Sequence, residues 1–255
     1  MIEIGIAVLI SGAMGSAPAA ECDRAAIQAV HPALGKVLEA AATLRGAAAE
    51  HGASFSQLVT QAQGFVQLGA DALGAVQEAG CRLEGAAAKA FENCLAPLIW
   101  SCESVPPAID WSFLDRVKRT DDEELAFTLG DPALLGPQDL FATCCDDSGC
   151  VEGGIRIPSL FLDRQLVAKL ARLSGFDTRF GRVALQTLQK SSAGLSRGSC
   201  SCGNLSADHL AGVIADLRSA SKETRRPQAA AALRKMSVLL RKGLPESECA
   251  MPGGE

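Results

Sequence analysis

The chain is predicted to be an all-α protein, and three observations carry that expectation. Apolar residues recur at i, i+3 and i+4 in several windows, and no stretch alternates polar and apolar long enough to propose a sheet. Alanine, the strongest helix former, supplies much of a hydrophobic fraction of 48%. Aromatic residues make up only 4%, with nine Phe, two Trp and no Tyr. Alanine buries little area per residue, so helices must approach closely and cross-links would reinforce a thin core. The expected architecture is a disulfide-stapled helical protein: a long antiparallel helical hairpin, a cysteine-rich connector and a smaller helical bundle. In residues, this reads as a signal peptide over 1–19, an alanine-rich hairpin over 20–104, an acidic Pro/Cys-rich connector over 105–153 and a basic helical region over 154–255.

The N-terminal stretch MIEIGIAVLISGAMGSAPAAEC holds an apolar run, Ile4 to Met14, followed by small residues. Ala17-Pro18-Ala19 fits an A-x-A cleavage site, leaving a mature chain that starts near Ala20. The n-region has Glu3 and no Lys or Arg, so a buried helix or an uncleaved anchor is the alternative. The run falls short of the ~20 apolar residues that span a bilayer. Secretion, with no transmembrane segment in the mature chain, is the expected localisation.

Asp23 to Glu50 reads as the first hairpin helix, with Pro32 in its opening turns and His51-Gly52 as its stop. Ser54-Phe55-Ser56-Gln57 is a capping box. Behind it, a stripe from Phe55 through Val59, Val66, Leu73, Val76 and Leu83 to Cys94 steps by threes and fours, as in a coiled-coil seam. Gly69 and Gly80 on that stripe are expected to admit a neighbouring backbone. Val105-Pro106-Pro107 marks a boundary, after which Ser112–Lys118 and Thr120–Leu129 read as short helices. Four further helices are expected, on Leu160–Leu173, Phe180–Leu188, Leu210–Leu217 and Leu233–Leu240, the last with Pro227 at its first position.

All ten cysteines lie beyond the cleavage site: Cys22, Cys81, Cys94, Cys102, Cys144, Cys145, Cys150, Cys200, Cys202 and Cys249. An even count in an oxidising compartment predicts a disulfide framework. Cys94 and Cys102 would lie roughly 12 Å apart along an unbroken helix, beyond the ~7 Å that a disulfide tolerates between Cα atoms. They are therefore expected to bond elsewhere, with the loop cysteines as natural partners. The segment Thr143-Cys-Cys-Asp-Asp-Ser-Gly-Cys150 offers thiols and carboxylates, but C-C-x4-C with C-x-C is not the C-x2-C spacing of zinc modules. No metal and no cofactor are expected.

The order of Cys144-Cys145, Cys200-x-Cys202 and Cys249 is similar to that of the plant lipid-transfer proteins, small helical carriers of apolar ligands. Cys150 intervenes here, and the gap between the two pairs is much longer than in that family. The resemblance implies a carrier.

Gly194-Leu-Ser196-Arg-Gly198 matches the nucleophile elbow G-x-S-x-G, which works on a strand-to-helix turn. A helix is expected before it, and Asp208 and His209 are adjacent, which suits poorly two separate triad roles. The reading is loop glycine and serine, with hydrolysis at Ser196 a third choice and no catalytic residues assigned. Asp121-Asp-Glu-Glu124 lacks the spacing of a calcium loop and reads as a helix N-terminus. Asn204-Leu-Ser206 is a glycosylation sequon.

Residues 1–152 hold 8 basic and 21 acidic side chains, residues 153–255 hold 16 and 8. Mutual attraction or plain solvation accounts for this split; contact of the basic half with an anionic surface is the alternative. Nucleic acid is not an expected partner, since aromatic residues do not interleave the basic ones. The function expected is non-enzymatic: binding, or a surface or extracellular role, through an unknown protein partner or an apolar small molecule. The alternative within that class is a carrier with a cavity of roughly 300–1,000 Å³ between helices.

Overall fold

The computed structural model describes residues 34–50, 52–100, 102, 107–138, 140, 164–196 and 207–242. The leader, Cys22, the Thr143–Cys150 segment, Cys200, Cys202, Asn204 and Cys249 lie outside them. The described residues are mostly helical, as expected, and fall into two compact units. One lies within residues 1–50 and 64–113, the other within 51–63 and 114–255.

In the first unit, α1 (Leu34–Ala49) buries Leu34, Val37, Leu38, Ala41 and Leu44, a stripe at steps of three and four. The stripe of Phe55 to Cys94 is not one helix. It divides into α2 (Phe55–Asp71), α3 (Leu73–Gly80) and α4 (Gly85–Leu95). Each glycine in a helix costs about 1 kcal/mol relative to alanine; α3 stops at Gly80, and Gly85 opens α4 with φ +57°, off the helical path. The partner of α1 is consequently α4 and not a single long helix. The Arg45 guanidinium donates to the carbonyls of Asn93 (3.5 Å), Cys94 (3.0 Å) and Ala96, supplying a cation to the end of α4 where backbone acceptors lack partners.

Gly69 and Gly80 receive side chains where a backbone was expected. A Cβ on Gly69 would stand 2.9 Å from Leu98, and one on Gly80 would stand 2.0 Å from the Trp100 ring. These residues belong to a segment that α4 does not reach. After Leu95 a cis Ala96–Pro97 bond leads into β1 (Leu98–Ile99), antiparallel to β2 (Ala108–Ile109) with Leu98 opposite Ile109. The ladder is too short for sequence alternation to announce. Cys102, no longer on the helix of Cys94, pairs with Cys81 at a Cα separation of 5.7 Å. Its partner is thus a helix-end cysteine and not one from the connector. Cys94 is buried and also disulfide-bonded.

The second unit contains α5 (Asp121–Leu129), α6 (Asp131–Leu134), α7 (Gln165–Leu173), α8 (Arg179–Ser196), α9 (Ala207–Glu223) and α10 (Pro227–Arg241). The last four are the four helices expected, and Pro227 takes the first position of α10. Helix α10 packs on α8 and α9; α7 packs on α8, α9 and α5. Their core is leucine with alanine and single larger residues such as Phe180 and Met236. The start of α2 joins this unit. Phe55 meets Phe127 edge-on at 6.2 Å and Phe180 at 5.6 Å, and Arg119 stacks on Phe127 at 4.1 Å while paired with Glu124 at 2.5 Å.

Two capping boxes form, the one expected at Ser54 and another at Thr120. The Ser54 amide donates to Gln57 Oε1 at 3.1 Å, and the Gln57 amide to Ser54 Oγ at 3.3 Å. Thr120 and Glu123 make the same reciprocal pair at the start of α5. Two buried hydroxyls of α8 also receive backbone donors: the Gln138 amide reaches Thr187 Oγ1 at 3.3 Å and the Leu140 amide reaches Ser191 Oγ at 2.9 Å.

Candidate functional site

The second unit carries a cleft of about 670 Å³ beside α7. Helix α7 presents Leu166, Val167, Leu170 and Leu173 inward, which turns Ala168, Lys169 and Arg172 toward another face. Leu125 of α5, Phe176 of the turn after α7, and Ala220 near the end of α9 complete an apolar floor with Ala168 and Ala171. The alanines leave the room that the cleft occupies; a leucine at any of these positions would fill part of it. The Thr224 hydroxyl donates to the Ala171 carbonyl at 3.2 Å and ties the α9–α10 turn to α7 across the floor.

Charge surrounds this floor. Lys169, Arg172 and Arg225 border the cleft, with Glu223 the acidic residue among them. Glu223 accepts a hydrogen bond from Ser219 at 2.7 Å. Nearby cations are already paired: Arg164 grips Asp216 through two bonds of 2.6 and 3.0 Å, which raises its pKa, and Arg226 meets Asp177 at 3.4 Å. The side chains of Lys169, Arg172 and Arg225 make no hydrogen bond or ion pair with the described residues. Such a site holds apolar groups on its floor and attracts negative charge at its edge. The basic half is legible in the sequence, whereas this cleft is not. Lys169 and Arg172 are three apart on one helix, which was a readable signal; Arg225 arrives from a different helix end.

Ser196 is the last residue of α8, where its hydroxyl donates to the Ser192 carbonyl at 2.7 Å. Gly194 and Ser196 therefore lie in a helix and not in a loop, and Ser196 does not line the cleft. The acidic run forms the first turn of α5, as expected. Burial pushes the Asp122 carboxyl up, but hydrogen bonds from the Thr120 and Thr178 hydroxyls and from the Asp122 and Glu123 amides outweigh it. The carboxyl sits below its ordinary 3.8. Among the described residues no group of three His, Cys, Asp or Glu side chains could hold a metal ion, and no helix is long and apolar enough to cross a membrane. Comparison with protein-family models, curated proteins and solved structures finds no match to this chain.

Proposed function

We propose that this chain is a secreted, non-enzymatic binding protein that holds a small apolar molecule in the cleft beside α7. The single observation carrying the proposal is that cleft: its volume falls in the range of small-molecule sites, and its floor is alanine, leucine and phenylalanine. The disulfide between Cys81 and Cys102 supports an oxidising compartment. Three helices, α5, α7 and α9, and the Thr224–Ala171 bond fix the floor, so binding requires little ordering of the protein.

An uncharged solvatochromic dye tests the reading. The wild-type protein is expected to bind it saturably, one per chain, with a blue shift in emission. Ala168→Phe, a change at an exposed helical position that projects a ring into the cleft, is expected to weaken binding at least about tenfold, or 1.4 kcal/mol. Its melting temperature should stay close to that of the wild type. Absent binding, or binding indifferent to the phenylalanine, would refute the proposal.

A further inference from the structure

We infer that the ligand of this cleft is an amphiphile with one negative charge, a long-chain carboxylate being the class that fits. The inference rests on the binding role proposed above and adds the chemistry of the head group. Three cationic side chains border the cleft and one acidic side chain opposes them. The C-terminal ends of α7 and α9 also border it, through Arg172 and Glu223, and each helix end contributes about half a negative charge. Together these leave about one positive charge uncompensated, which a monoanion neutralises.

The positions of the groups give the ligand a direction. Arg172 and Arg225 are exposed, while Ala171 and Ala220 are buried in the floor. A hydrocarbon tail on the floor would leave its head among the guanidinium groups, whose planar donors match the two oxygens of a carboxylate. The other basic groups nearby do not compete, because Arg164 and Arg226 already hold Asp216 and Asp177.

The test is displacement of the uncharged dye from the full chain at neutral pH and low ionic strength. The competitors share one dodecyl chain: dodecanoate, dodecanol, dodecyltrimethylammonium and dodecyl phosphate, each below its micelle concentration. Dodecanoate is expected to displace the dye about tenfold more strongly than dodecanol, and the ammonium more weakly than either. The carboxylate advantage should shrink at about 1 M salt, where screening acts over about 3 Å. The double variant Arg172→Gln, Arg225→Gln should lose the preference for dodecanoate over dodecanol. Equal displacement by acid, alcohol and ammonium overturns the inference and leaves the apolar cleft standing. Dodecyl phosphate outcompeting dodecanoate tenfold also overturns it, assigning the site to doubly charged heads. A protein that binds neither the dye nor any competitor loses the binding role itself.

Discussion

The ring of Trp100 occupies the space that a side chain on residue 80 would need: a Cβ built on Gly80 lies 2.0, 2.5 and 2.7 Å from three of its atoms. Phe91 meets that ring edge-on at 5.3 Å, and Trp100 Nε1 is buried without a hydrogen-bond partner among the described residues. Shape, not polarity, seats the indole. Gly80→Ala sets two effects against each other. Alanine favours the helix by up to about 1 kcal/mol, whereas displacing a packed ring costs about 1–3 kcal/mol. The steric term should win, giving a lower urea midpoint and a red-shifted tryptophan emission. A more stable variant would show that the indole moves aside freely.

The bond between Cys81 and Cys102 spans a sequence separation of 21. Closing a loop of that length removes unfolded-state entropy worth about 3 kcal/mol. The double variant Cys81→Ser, Cys102→Ser is expected to lose about 2–4 kcal/mol in urea titration. Unchanged stability would mean that helix packing alone holds this segment.

Two serines of α8 should behave oppositely. Ser191 Oγ is buried and receives the Leu140 amide at 2.9 Å, so Ser191→Ala strands a buried donor and should cost about 1–3 kcal/mol. Ser196 only returns a bond to the carbonyl four residues back. Its replacement by alanine should change stability by less than about 0.5 kcal/mol. Paired thermal melts would decide; equal losses would refute the difference in roles.

Asp122 provides a pH signature. Its folded pKa lies below the ordinary 3.8, so the unfolded chain binds the proton more readily. Its contribution is present above about pH 4 and is lost as the pH falls through the folded value. Asp122→Asn should therefore flatten the acid side of the melting-temperature profile and leave the slope near neutrality unchanged. An identical acid limb in both proteins would remove Asp122 from the account.

What was legible in the sequence was local. Ser54 with Gln57, Thr120 with Glu123, and Pro227 each announce a helix start within four residues, and the leucine spacing of α7 to α10 announces their buried faces. The division of the Phe55–Cys94 stripe was not legible, because its 3.5-residue rhythm survives a break that keeps the same face inward. Nor was the Cys81–Cys102 pair, which depends on the chain reversing after Leu95 to bring Cys102 back. The cleft shows the same limit. Lys169 and Arg172 are visible as neighbours, but only folding adds Ala220 and Arg225 from the end of α9 and the turn after it.

Trp100 and Trp111, the two tryptophans of a chain without tyrosine, both fall in the unit within residues 1–50 and 64–113. Indole fluorescence therefore watches that half alone, while the cleft-bearing half holds no tryptophan and has more of the helix among the described residues, and so more of the circular dichroism signal. The native molecule is in effect already labelled in one of its two units. Superimposing the two melting traces would reveal whether the halves come apart as one cooperative body or in succession, without attaching any dye.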